Sequence, residues 1–289
     1  MSKKITVLFL LSLIMTSVMS AQSLSAPAAA SPSDTIKAGE IVNSLAASSL
    51  PLGERITTAA SRLIGSGYDD YYTTDSIASL RLNLSEFTPM TFINTVMALA
   101  KASGATTHPG WRDVARLQRE YSCRRGDDKG FASIMYHSSD WINDNIFRGN
   151  VKELTDMYSG VVSRTKSLDE MTRFRNRFAA LADSATFEAV RMTEMGFRTH
   201  RVPTLKKETV TKREITEDMQ EGDILVMVTN RDGFDYYDIG FITLRDNGPH
   251  LIHLSPVTKT VVEEAETLDR YFKLMTKYFQ GYRLVRIQP

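Results

Sequence analysis

The chain has 289 residues, with 35 basic and 34 acidic side chains interspersed and a net charge of +1. That balance gives no electrostatic basis for nucleic-acid binding, and no basic amphipathic stretch points to a membrane surface. Cys123 is the only cysteine, which excludes an intramolecular disulfide and any zinc site built on cysteine pairs.

Lys3 and Lys4 precede an apolar run from Ile5 to Val18, and small residues follow around Ser20 and Ala21. A charged start, a short apolar stretch and a small-residue exit describe a secretory signal peptide over residues 1–21. The run is shorter than the ~20 apolar residues that cross a bilayer. No cysteine stands at the cleavage point to carry a lipid, and no later stretch is apolar enough to span. The expectation is a soluble, exported protein, periplasmic or secreted, that is not a lipoprotein. Residues 22–36 are rich in Ala, Ser and Pro, lack the apolar surface that offsets ordering entropy, and read as a tether. From residue 37 to 289 the composition is globular, with no internal repeat and no second linker, and a single domain is expected.

The first half of that domain reads as helical. Helices are expected near residues 36–48, 53–65, 89–103 and 109–121. The third has Thr88 as cap, Pro89 at its first position, Phe92, Ile93, Val96, Met97 and Ala100 at helical spacing, and Gly104 as its stop. In "SLDEMTRFRNRFAALAD" Ser167 and Glu170 are spaced as a capping box, and Met171, Phe174, Phe178 and Leu181 share one face, so a helix is expected there. Another is expected from Thr186 to Met195.

From "VPTLKKETVTKREI" onward the texture turns to short β-rich runs. "GDILVMVT" reads as a strand, and "YYDIGFITLRDNGPHLIHLSPV" as a hairpin turning at Asp246, Asn247, Gly248 and Pro249. "GYRLVRIQ" alternates as a last strand. Helices first and antiparallel strands second argue for an α+β fold.

Five stretches in order then resemble the N-acetylmuramoyl-L-alanine amidase-like branch of the NlpC-type, papain-like cell-wall hydrolases. "RLIGSGY" is similar to an FLGTPY-type segment of that family, and "LRLNLSEF" to the lead-in to its catalytic helix. "YHSSDWINDNIFRGNVKELT" resembles its middle region, while "GFDYYDIGFITL" and "HLIHLSPVTKTVVEE" resemble its two catalytic strands. The resemblance covers residues 50–289 and implies a papain-like fold, its helical N-terminal half packed on an antiparallel sheet or half-barrel from the C-terminal half.

The resemblance also locates what is missing. The family's catalytic helix opens F-D-C-x-T-F-V-E, and here that segment runs from Phe87 to Asn94. The nucleophilic cysteine maps to Pro89, the aspartate before it to Thr88, and the glutamate to Asn94. A strand of the form G-L-D-V-x-H-V-G-F maps onto Gly233 to Phe241 and puts the catalytic histidine at Asp238. His253 alone of the polar members survives. Proline has no nucleophile and no N–H to serve an oxyanion, and an ionised carboxylate is poorly tuned to take a thiol proton near neutral pH. The relic positions are therefore Pro89, Asp238 and His253, and the expected function is an exported, non-catalytic relative of a peptidoglycan amidase or endopeptidase. It would bind stem peptides of the cell wall, or an envelope protein, through the old cleft. Two alternatives stand beside it. One is an active hydrolase with Thr88 or Thr91 served by His253 and Asp238; the other is an envelope interaction protein whose cleft is filled.

The ligand-binding candidates are Thr88, Thr91, Asp238, His253, Tyr68 and Trp141. No cofactor is expected, and no metal at Asp235, Asp238 and His253. Cys123, in "REYSCRRG", corresponds to a non-catalytic family segment. His108 reads as a loop residue and His200 as exposed. His137 lies beside a family histidine position that Tyr136 occupies, so no role carries over to it.

Overall fold

A computed structural model describes residues 29–70, 80–105, 108–275 and 277–289. The signal peptide and residues 22–28 of the expected tether lie outside these residues. The tether's last part does not fit the reading, because helix α1 (Pro32–Ala46) begins inside it. Ser31 caps that helix by accepting the Asp34 N–H at 3.1 Å, and Pro32 takes the first turn. Asp34 then accepts the Leu84 N–H at 2.9 Å, and Lys37 donates to the Leu84 carbonyl at 2.9 Å. Sequence composition could not register these long-range ties.

Helices α2 (Leu52–Ser61), α3 (Pro89–Ala105) and α4 (Trp111–Ser122) follow as expected to within a few residues at their ends. Helix α3 is apolar on every side and buried along most of its length. It packs on α1, α2 and α4, and on two strands of the main sheet, β9 (Tyr236–Arg245) and β10 (Gly248–Leu254). A helix that is hydrophobic all round belongs at the centre of a fold.

The main sheet has six strands, all antiparallel, in the order β11 (Val261–Glu263), β10, β9, β8 (Ile224–Thr229), β12 (Phe279–Ile287), β5 (Val151–Glu153). Four two-residue strands, β1 (Ala29–Ala30), β2 (Gly67–Tyr68), β3 (Arg81–Leu82) and β4 (Glu86–Phe87), pair outside this sheet, and neither they nor β5 are expected from the sequence. The hairpin turns on Asp246 and Asn247 alone, with Gly248 and Pro249 already paired in β10. Side chains alternate between two cores. Ile224, Val226, Ile239, Phe241, Ile252 and Val285 face the helices, whereas Leu225, Met227, Ile242, Leu251 and Leu284 face a second cluster that includes Tyr271 and Phe272.

Three readings need correction. The helix expected in "SLDEMTRFRNRFAALAD" is only Glu170–Arg173, followed by 3₁₀ turns at Arg175–Arg177 and Ala179–Ala182. Its rings serve different neighbours: Phe174 meets Phe234, and Phe178 meets Tyr136. Tertiary packing overrides helix propensity there. The β-rich "VPTLKKETVTKREI" gives one strand, β7 (His200–Thr204), paired with β6 (Val162–Lys166), and then short helical turns. His200 is half-buried within β7 rather than exposed, and burial lowers its pKa.

Candidate functional site

The N-terminus of α3 is closed by two threonines. Thr88 Oγ1 accepts the Thr91 N–H at 3.1 Å, and Thr91 Oγ1 accepts the Thr88 N–H at 2.8 Å. This is capping-box reciprocity with a threonine in the glutamate's place. Pro89 takes the first helical position, where an N–H would lack an intrahelical partner anyway. The two hydroxyl oxygens lie 3.1 Å apart and are committed to the cap.

Pro89 and Thr88 stand on one wall of an open cleft of about 260 Å³. Met90, Tyr68, Tyr237 and Asp238 line it beside them, and Tyr136, His137, Glu170, Arg177, Arg231 and Asp235 form the facing wall. The cleft is not filled by side chains.

A register shift brings Asp238 to its edge. Met227 pairs with Asp238 and Val228 with Tyr236, so Tyr237 is left over as a bulge. Asp238 and His253 share the sheet face that carries Leu251 and Tyr271, opposite the face covered by α3. His253 is fully buried. It donates from Nδ1 to Asp238 Oδ2 at 2.6 Å and from Nε2 to Glu264 Oε1 at 2.8 Å. Asp238 Oδ2 also accepts the Tyr271 hydroxyl at 3.1 Å, and Oδ1 accepts the Ile239 N–H at 2.8 Å. Burial alone would lower the His253 pKa, but the Asp238 charge, its hydrogen bond and Glu264 raise it to about 9. His253 is thus an imidazolium at neutral pH with both nitrogens engaged. Gly240 permits the arrangement, since a Cβ there would lie 2.7 Å from the His253 Cβ and 2.6 Å from the Ile252 carbonyl.

The facing wall is built by side chains from distant segments. Asp235 is buried and accepts the Ser138 hydroxyl at 2.6 Å, the Ser139 N–H at 2.6 Å and the Ser139 hydroxyl at 2.9 Å. It thereby caps helix α5 (Ser138–Phe147) from across the fold. Burial opposes its charge, yet His137, these donors and Arg283 hold its carboxyl below the usual range. His137, 2% exposed, joins Nε2 to Glu194 Oε1 at 2.8 Å. Burial lowers the His137 pKa, and the Glu194 hydrogen bond with the Asp235, Glu194 and Glu170 charges more than reverses that. Glu194, in the helix Ser184–Met195, is held below its usual range against burial by His137 and Thr172. Glu170 differs: burial pushes its pKa up, and His137, Tyr136, Arg177 and Arg231 only partly offset this.

Of the candidates read from sequence, Tyr68, Thr88, Pro89 and Asp238 come together at the cleft. Thr91 lies in the cap, and His253 lies behind Asp238 on the far face, away from the cleft lining. Trp141 is a correction, because it is fully buried and donates from Nε1 to Asn94 Oδ1 at 2.7 Å. A ring with its only donor satisfied by a core asparagine is a packing residue. Cys123 is fully buried away from the cleft, and burial pushes its thiol up to about 12. His108 is an exposed loop residue, as expected. Among the described residues no group of three or more His, Cys, Asp or Glu is placed to hold a metal ion.

Sequence reasoning missed the facing wall. The family match falls on Tyr136 and not on His137, and Glu170 reads as half of a capping box with Ser167. The available signal was Asp235, which matches the aspartate of the family strand G-L-D-V-x-H.

Four helices packed on one face of an antiparallel sheet, with a cleft at the N-terminus of the central helix, define an α+β domain of the amidase-like type. The profile of the N-acetylmuramoyl-L-alanine amidase-like family matches residues 60–277, and the chain belongs to that family. Its fold is similar to an N-acetylmuramoyl-L-alanine amidase from Bacteroides uniformis, with TM-score 0.72 and 21% identity over 82% of this chain and 99% of that one. It is also similar to a protein from Legionella pneumophila, with TM-score 0.68 and 13% identity over 89% of this chain and 95% of that one. None of the curated proteins compared is significantly similar in sequence. No helix among the described residues is long and apolar enough to cross a membrane.

Proposed function

We propose that this chain is an exported, non-hydrolytic member of its family, of papain-like NlpC type, that binds stem peptides of peptidoglycan in the cleft without cutting them. The observation that carries the reading is the state of the catalytic line. Its nucleophile position is a helix-opening proline, and its base position is a carboxylate with both oxygens engaged. Its surviving histidine is a cation clamped between Asp238 and Glu264. A general base needs a free lone pair near the proton it removes, and His253 has none. The threonine alternative meets the same obstacle, because Thr88 and Thr91 hydrogen-bond each other and the helix start. The open cleft favours binding over an interaction protein with a filled groove.

The test is mass spectrometry of the mature protein incubated with defined muropeptides, beside calorimetric titration of the same ligands. The expected outcome is saturable binding with every muropeptide mass unchanged. Cleavage by the wild type that disappears in an Asp238→Ala, His253→Ala double variant would overturn the reading.

A further inference from the structure

The wall opposite Pro89 holds a feature that the relic catalytic line does not use. His137 is buried, lines the cleft and has its Nε2 fixed on Glu194, while its Nδ1 is buried with no hydrogen-bond partner. Buried polar atoms without a partner are rare in folded proteins, and one that lines a cavity asks for a ligand atom. Glu194 also accepts the N–H groups of Met171 and Thr172 at 3.0 and 2.9 Å, so it is an acceptor on every side. Nε2 therefore carries hydrogen, and although burial lowers the imidazole's pKa, the Glu194 hydrogen bond and the Asp235, Glu194 and Glu170 charges raise it overall, which favours a proton on Nδ1 as well.

Two cations stand on the same wall. Arg177 and Arg231 line the cleft, are exposed, and make no ion pair among the described residues. Both are preset by aromatic rings. The Arg231 guanidinium lies 3.8 Å from the Phe234 ring centroid, and that of Arg177 lies 5.8 Å from the Phe174 centroid. The Arg231 loop is pinned in turn by Lys166, whose ammonium donates to the Thr229 and Arg231 carbonyls at 2.5 and 3.2 Å.

Three of the four carboxylates that line the cleft compete weakly for those donors, and the fourth, Asp70, has a partner of its own. Asp235 is occupied by Ser138 and Ser139, and Asp238 by His253, Tyr271 and Ile239. Glu170 is buried and favours its neutral acid form more than an exposed glutamate would.

We propose that this wall is a carboxylate-binding subsite, with His137 Nδ1–H as the buried donor and Arg177 and Arg231 as the rim cations, so that the cleft selects peptides bearing a free carboxylate. The proposal rests on the peptide-binding reading above and adds to it which chemical group is recognised and by which residues.

The test is calorimetric titration with a synthetic stem tetrapeptide, its carboxylates either free or converted to amides. Charge-assisted contacts from these three donors predict roughly tenfold or greater preference for the free acid. That preference should collapse in an Arg177→Gln, Arg231→Gln double variant, which alters only exposed side chains. It should also weaken in His137→Gln, whose amide can still donate to Glu194 but offers nothing at the Nδ1 position. Lys259→Gln, on another part of the rim, should keep the preference. Equal affinity for the acid and amide forms refutes the subsite while the peptide-binding reading stands, as does a preference that survives both variants. Failure of either peptide to bind overturns the subsite and that reading together.

Discussion

The sharpest test of the buried polar centre is alkaline pH. His253 has a folded-state pKa of about 9 against an ordinary value of 6.5, a gap that corresponds to about 3 kcal/mol of stabilisation of the protonated folded form. Because the folded value lies above the unfolded one, this contribution is fully present below about pH 6.5. It is lost progressively as pH rises from there through about 9, where the folded imidazolium also gives up its proton. For a domain of this size ~3 kcal/mol corresponds to a melting shift of ~6–12 °C. The assay is calorimetric melting of wild type and His253→Gln from pH 6 to 10. The variant should be much less stable than wild type at pH 6, because Asp238 then lies buried without a cation, and the gap should narrow by most of ~3 kcal/mol at pH 10. Parallel melting curves across that range would refute the claim that His253 is held as a cation, and with it the argument that it cannot act as a base.

Three other outcomes follow from the same geometry. Gly240→Ala would place a Cβ 2.6 Å from the Ile252 carbonyl and 2.7 Å from the His253 Cβ, and should destabilise by ~1–3 kcal/mol, read as a lowered melting temperature. Asp235→Ala strips three donors at the start of α5 of their acceptor and should cost ~3 kcal/mol or more, checked by chemical denaturation. Pro89→Cys should put a thiol at the cleft that iodoacetamide alkylates readily, while buried Cys123 stays unmodified in the native state. The same variant should leave muropeptides uncut, because Asp238 supplies no base.

Much of the fold was legible because its strongest local signals agree with the tertiary structure. Helix α3 announced itself through Thr88, Pro89 and an apolar run, and the β9–β10 hairpin through Asp246 and Asn247 between two apolar strands. Legibility failed where distant groups decide the outcome. The chain from Glu170 to Ala182 has a helical pattern, but Glu170 is drawn into the cleft and Phe174 and Phe178 to separate rings. At the site, positional matching brought Pro89, Thr88, Tyr68 and Asp238 to one cleft. It could not tell that both ring nitrogens of His253 are engaged, since that depends on Asp238 and Glu264, 15 and 11 residues away. Nor could it find His137, whose importance lies in one ring nitrogen satisfied by Glu194, 57 residues away, and the other buried without a hydrogen-bond partner.

The two walls of the cleft use their polar groups in opposite ways. On the Pro89 side the relic polar groups serve the fold: the threonines close a helix, and Asp238, His253, Tyr271 and Glu264 satisfy one another. Such a wall has little left to offer a substrate, and removing any member costs stability before it costs recognition. On the His137 side the network is fastened just as firmly from behind, by Glu194 and by Asp235 on α5, but one buried ring nitrogen is left without a partner and the two arginines at the cleft make no ion pair among the described residues. A chain under no demand to bind would gain stability by satisfying that nitrogen or by closing the cavity over it. An open wall with an unsatisfied buried nitrogen, beside one whose relic polar groups satisfy one another, is the asymmetry that the proposed non-hydrolytic binding requires.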